Sequence, residues 1–256
     1  MSATKYYESI TRILERIHTT QHGKLAAAGE VMAGCIAANG RVYLFGSGHS
    51  VIPVMDVFPR YGSFVGFYPL YDPRLMWSNV IGPNGARELL WIERREGYVA
   101  QFLQSYPMSG QDCLVVFSHG GLNAAPIEAA MFARDRGARV VSVSSLENAR
   151  TATRTHSSGK ALSDLADIAI DNCVAPEDSQ VDVGRREKIA AASTMAAVFV
   201  AMALVAETGA RLAASGYDLT TFVSPNVEGV IKDHNLRVFD EYARRWYGRP
   251  PDPVVR

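Results

Sequence analysis

Arg41-Val42-Tyr43-Leu44-Phe45-Gly46-Ser47-Gly48-His49-Ser50 reads as a short buried strand that breaks into a loop of glycines and hydroxyls. The pattern returns at Asp112-Cys113-Leu114-Val115-Val116-Phe117-Ser118-His119-Gly120-Gly121-Leu122-Asn123. Further apolar runs at 63–68, 139–143 and 167–171 predict three more strands, with the first two at 41–45 and 112–117. Helical patterns separate several of them, notably 123–136, which Gly137 closes immediately before the next strand. Strand, helix, strand at this spacing implies right-handed crossovers and a parallel sheet.

Outward from these runs the chain is helical at both ends. Residues 5–39 read as helix: Tyr6, Ile10, Ile13, Leu14 and Ile17 recur at helical spacing, an Ala-rich segment follows, and Asn39-Gly40 stops it. A long Ala-rich helix is predicted over 186–214. A final amphipathic one is predicted over 233–247, with Leu236, Val238, Phe239 and Tyr242 as its apolar contacts. The tail 249–256 carries three prolines and is expected to be loose. Neither an internal repeat nor a low-complexity linker divides the chain. We therefore expect one domain over 1–256, with a helical extension over about 1–39 and C-terminal helices over about 186–247.

Composition limits the function classes. Of 256 residues 48% are hydrophobic, enough for a proper core, and 26 Lys+Arg balance 26 Asp+Glu to zero net charge. A nucleic-acid binder needs excess cations, so none is expected as a partner, although a local anion site is not excluded. Cys35, Cys113 and Cys173 are too widely spaced for a zinc knuckle or a redox pair, and Cys113 reads as core. Three free thiols and an N-terminus without an apolar leader point to a reducing cytoplasm. The apolar stretch 195–206 is about one core helix long and too short for a bilayer, so no membrane is expected.

Both glycine- and serine-rich loops fall at strand C-termini, where open α/β sheets place ligands. A helix starts after each, turning free N–H groups and a positive dipole end toward an anion. One such loop alone is an ordinary tight turn; two at equivalent strand ends favour a binding site. Neither is a GxGxxG dinucleotide loop, and no Walker A lysine follows.

These segments, with Val140-Val141-Ser142-Val143-Ser144-Ser145, resemble the successive signatures of SIS (sugar isomerase) domains, over roughly residues 5–247. Glu93-Arg94-Arg95-Glu96-Gly97, Ser157-Ser158-Gly159-Lys160, Ala166-Asp167-Ile168-Ala169-Ile170-Asp171-Asn172, Ser224-Pro225-Asn226-Val227-Glu228-Gly229 and Asp233-His234-Asn235 extend the resemblance to a bacterial SIS subfamily. It implies a flavodoxin-like α/β fold, a five-stranded parallel sheet with helices on both faces. It also implies homodimers or homotetramers with sites at subunit boundaries, a sugar or sugar phosphate as ligand, and no cofactor. Carried over, Gly46, Ser47, Gly48 and Ser50 form one ligand loop, Ser118, Gly120, Gly121 and Asn123 the other, and Ser144 adds a hydroxyl. Many SIS domains have Ser-x-Ser-Gly-x-Thr in the second loop; here Gly120 and Asn123 replace the second Ser and the Thr.

Aldose–ketose isomerisation needs a base between adjacent carbons and an acid for ring opening. Asp56, with Arg60 four residues on, stands where phosphoheptose isomerases carry a catalytic Glu, and is the first candidate base. The His that those enzymes carry on a later helix has no counterpart near Ser193. His49 and His119, inside the loops, can serve as acid, base or hydrogen-bond donor. Glu93 lies in a helical pattern, and His234 is expected near a partner's ligand loops. No close Cys/His spacing supports a metal. A sugar-sensing module without turnover, and a sugar lyase or etherase, are the alternatives to the isomerase.

Overall fold

The computed structural model describes residues 1–76 and 86–247. Its main sheet contains β1 (Val42–Gly46), β2 (Phe67–Pro69), β3 (Cys113–Phe117), β4 (Arg139–Ser144) and β5 (Ile168–Asp171), all parallel, in the order β2-β1-β3-β4-β5. Two short strands, β6 (Ser179–Val181) and β7 (Ile189–Ala191), form a separate antiparallel hairpin. The helices are α1 (Ser2–Ala37), α2 (Val51–Val57), α3 (Ala86–Ile92), α4 (Tyr98–Leu103), α5 (Ala124–Asp135), α6 (Leu146–Thr151), α7 (Ser193–Ala214) and α8 (His234–Tyr247).

Every residue of β1 and β3 is buried, because helices cover both sheet faces, and both strands therefore read as unbroken apolar runs. On one face Val42, Leu44, Val115, Phe117, Val141 and Val143 meet α1, α2 and α7. On the other Tyr43, Phe45, Leu114, Val116 and Val140 meet α3, α4 and α5. The chain leaves β1 for β2 on one side and returns to β3 on the other. That reversal opens a crevice at the carboxyl ends of β1 and β3, the place where such sheets bind ligands.

The N-terminal helical extension is one continuous helix of 36 residues, about 54 Å long. Ile10, Ile13, Ile17, Leu25 and Met32 bury its inner side. It crosses α7 closely at Gly29, where an added Cβ would lie 2.7 Å from Cβ of Glu207. α7 has the length and composition of a bilayer-crossing helix, yet Ala196, Val200, Leu204 and Leu212 are buried in the core.

Three sequence expectations are corrected. The helix predicted over 186–214 begins only at Ser193: residues 189–191 are a strand, because Ile189 and Ala191 pair with Val181 and Ser179. The strand expected at 63–68 is confined to Phe67–Pro69, while Phe64 makes only an isolated bridge to Thr221. In α8, Val238 is buried, Tyr242 stacks on Tyr68 at 5.2 Å and Phe239 meets Phe222 edge-on at 4.8 Å, but Leu236 is 54% exposed. The prolines expected to loosen the tail 249–256 lie outside the described residues.

Candidate functional site

The first loop is built around a backbone contact. Gly46 closes β1 so tightly against the following turn that a Cβ would sit 2.1 Å from the Ser50 carbonyl oxygen. The Ser50 N–H then donates to the Ser47 carbonyl at 3.1 Å, and Gly48, His49 and Ser50 form a single 3₁₀ turn leading into α2. Ser47 Oγ donates to Glu93 Oε2 at 3.2 Å. Glu93 lies one residue past α3 and is only 8% exposed. Its backbone carbonyl accepts from the Ala125 N–H at the start of α5, so the residue ties the first loop to the helix after the second. Burial pushes the Glu93 carboxyl above its ordinary range, and neighbouring Arg94 and the Ser47 hydroxyl pull it only partly back.

The second loop is held from three sides. The Ser118 N–H donates to the Val143 carbonyl at 3.0 Å, and Ser118 Oγ accepts from the Gly121 N–H at 3.1 Å. Asn148 Nδ2 donates to the Gly120 carbonyl at 2.8 Å. Asn123 occupies the N-cap of α5 with extended backbone and no side-chain capping bond. Ser144 is buried at the end of β4, close beneath Gly121. His119 Nδ1 lies 3.1 Å from Asn172 Nδ2, while His119 Nε2 is buried without a partner among the described residues.

Between the loops lies a narrow cleft lined by His49, Ser50, Ser118, His119, Val143, Asn172, Ser193, Thr194 and Ala197. Its free volume of about 10 Å³ admits one water-sized group. An oxyanion tip fits there, and the body of a larger ligand must extend outward past exposed His49. Ser193 and Thr194 come from the first turn of α7, whose end is answered by the protein itself. Asp178 Oδ1 accepts from the Ala192 and Ser193 N–H groups at 2.9 and 2.7 Å, and Oδ2 from Ser193 Oγ at 2.8 Å. What α7 offers the cleft is therefore side chains rather than bare amides.

The sequence-predicted residues are not all brought together. Ser47, Ser50, Ser118, His49, His119 and Glu93 lie on or against the two loops. Asp56 does not line the cleft: its carboxylate is 2.5 Å from Arg60 Nη1, one turn on in the same helix region, with both side chains well exposed. His234 Nε2 is 2.7 Å from the Thr221 carbonyl, within its own end of the chain. Asn172, Ser193 and Thr194 were missed; the available signal was a polar residue at the carboxyl end of the fifth strand and a pair of hydroxyls opening a long helix. Among the described residues no three His, Cys, Asp or Glu side chains are grouped to hold a metal ion. The segments 93–97 and 157–160 also meet, since Glu96 accepts from both the N–H and the hydroxyl of Ser157. A roomier groove of about 540 Å³, lined by Pro59, Arg60, Tyr61, Phe222, Asn235 and Phe239, carries none of the loop hydroxyls.

Three comparisons place this geometry among known proteins. A family model described as the SIS domain matches residues 5–145. A UPF0309 protein of Oceanobacillus iheyensis is 32% identical over 239 residues, covering 93% of this chain and 95% of its own. A UPF0309 protein of Streptomyces coelicolor is 32% identical over 248 residues, covering 96% and 97%. Among solved structures, the phosphoheptose isomerase of Neisseria gonorrhoeae superposes with a TM-score of 0.53 at 14% identity, over 80% of this chain and 97% of its own. That of Francisella tularensis gives 0.52 at 15% identity, over 80% and 95%. At such identities the likeness is one of fold.

Proposed function

Because the chain belongs to the SIS-domain family and to the UPF0309 proteins, we propose that it binds a sugar phosphate across the two loops and interconverts its aldose and ketose forms. The observation that carries this reading is the Glu93 carboxyl, buried, raised by its burial and hydrogen-bonded to Ser47 in the first loop. A base must be basic enough to take a carbon-bound proton, and a carboxyl raised by desolvation is a stronger base than an exposed one. Glu93 removes the proton from the carbon next to the open-chain carbonyl. The electron pair moves into an enediolate whose oxygens take donors from the loops. The proton then returns to the former carbonyl carbon, while the hydroxyl proton of the neighbouring carbon passes to the former carbonyl oxygen. One C–H and one O–H bond break and one of each forms, so the step needs no cofactor. Asp56, paired with Arg60 and only partly buried, lacks this desolvation and is the alternative base.

Ser50, Ser118 and Thr194 are the hydroxyls proposed for the anionic end. Thr194, on α7, supplies a hydroxyl in place of those absent at Gly120 and Asn123, while the Ser193 hydroxyl is already donated to Asp178. The phosphoheptose isomerases of like fold act on sugar phosphates by their names, which agrees with this substrate class. A homo-oligomer in the cytoplasm is the expected setting, in keeping with three free, buried cysteines.

The test is solvent deuterium uptake by a panel of pentose, hexose and heptose phosphates incubated with the protein. Exchange at the carbon next to the carbonyl, lost in Glu93→Gln, supports the isomerase. Binding without exchange in the wild-type protein replaces it with a sugar-phosphate sensor, and release of a substituent instead of a ketose replaces it with a lyase.

A further inference from the structure

We infer that Asn172 is a positioning residue: it locks His119 into the tautomer that carries its proton on Nε2, so that the cleft presents a fixed donor to a negatively charged ligand oxygen. The chain of contacts leaves one consistent assignment. The Val174 N–H, which is only a donor, meets Asn172 Oδ1 at 3.0 Å within the buried end of β5. That fixes the amide orientation, because turning it over would set two donors against each other. Asn172 Nδ2 therefore faces His119 Nδ1 at 3.1 Å and can only donate. Nδ1 must supply a lone pair, and the ring proton sits on Nε2.

Nε2 is buried and has no partner among the described residues. A buried N–H left unmade costs free energy, so such a group is kept only where something else satisfies it. The cleft it shares with Ser50, Ser118 and Thr194 supplies that occasion. Asn172 is held in turn: its N–H donates to the Ser144 carbonyl at 3.0 Å, and Asp171, beside it, is anchored by its N–H to Gln21 of α1 at 3.1 Å. The amide that orients the imidazole thus stands one residue past β5, hydrogen-bonded to the end of β4. His119 is consequently a donor at this cleft and not the base, a division of labour that leaves proton abstraction to Glu93. The tautomer holds whatever the ligand is; the identity of the oxygen as that of a phosphate or an enediolate rests on the sugar-phosphate reading.

Long-range proton–nitrogen NMR on the whole protein, with the imidazole of His119 labelled, reads the tautomer directly at neutral pH. The expected spectrum shows Nε2 protonated and Nδ1 as a lone-pair nitrogen, with the Nε2 signal moving on titration with inorganic phosphate or with the aldose phosphates. Inorganic phosphate moving it points to the phosphate group, and movement only with the sugar phosphates points to the sugar oxygens. A proton on Nδ1, or on both nitrogens, overturns the inference, as does a His119 signal that none of these ligands moves. Asn172→Ala and His119→Phe should each weaken the moving ligand by roughly tenfold to a hundredfold. The double variant should be no weaker than His119→Phe alone, because Asn172 acts through His119. Additive losses overturn the positioning role. If the tautomer and the cycle come out as stated but no sugar phosphate exchanges deuterium, this inference stands and the isomerase falls.

Discussion

Glu93 carries two opposing consequences of its burial. Its folded-state pKa is raised, so the protonated native form is favoured: that stability is full at a pH below the unfolded value and is lost as pH rises through the folded one. At neutral pH the ionised carboxylate is a burden on the fold. Glu93→Gln, which keeps an acceptor for Ser47, should therefore raise the melting temperature at neutral pH while lowering turnover by about 10²-fold or more. Differential scanning fluorimetry and the deuterium assay on one preparation check both signs. The acid limb of the wild-type rate profile should lie above the ordinary carboxylate range. Asp56→Asn, by contrast, should leave turnover near normal, since Arg60 already takes that carboxylate. Ser118→Ala removes both a ligand hydroxyl and the acceptor of the Gly121 N–H. Calorimetric titration with a sugar phosphate should show a loss of about 1–3 kcal/mol in affinity. The two loops were legible as sequence because small residues and hydroxyls after apolar runs have few other uses. Glu93 against Ser47 was not, because the two are 46 positions apart and only the fold of α3 over the strand ends joins them. Asp56 looked better placed merely by standing near Ser50 in the chain.

At the scale of elements, the point of leverage is the start of α7. Asp178 alone answers the Ala192 and Ser193 N–H groups and holds the Ser193 hydroxyl. Asp178→Ala should cost about 1–2 kcal/mol in a urea melt, as loss of a helix cap does. It should also weaken phosphate, because Ser193 and Thr194 lose their fixed place in the cleft. Loss of stability with unchanged affinity would show that α7 does not contribute to binding. The same region is where sequence reading failed. Ile189-Ala190-Ala191 reads as the front of an Ala-rich helix, yet all three residues are exposed and two pair with β6. A short exposed hairpin with charged residues in its turn has neither the 3.6 nor the 2 period to announce it. β1 and β3 were legible because burial on both faces leaves no room for polar residues; the strand order was not, because no period encodes which strand neighbours which.

At the scale of the whole molecule, apolar side chains at the start of α7 and on α2 stay exposed among the described residues. Met195 on α7 and Met55 on α2 are 49% and 51% exposed, with Ile52 beside them at 39%, and α2 packs directly against α7. Such a surface matches the homodimer expected from family resemblance, in which a second copy would lie close to the cleft. Met195→Asp should shift sedimentation toward the monomer and, if the partner helps shape the cleft, lower sugar-phosphate affinity with it; a wild-type protein that sediments as a monomer at micromolar concentration removes the expectation. The close crossing of α1 and α7 at Gly29 has a consequence in time. Translation adds roughly 5–20 residues per second. α1 thus leaves the ribosome on the order of ten seconds before α7, the helix it packs against, with Ile17, Leu25 and Met32 of its inner side uncovered meanwhile. The nascent chain is at its stickiest after the sheet has begun to assemble and before residue 205 emerges, and it is in that interval that a chaperone has most to hold.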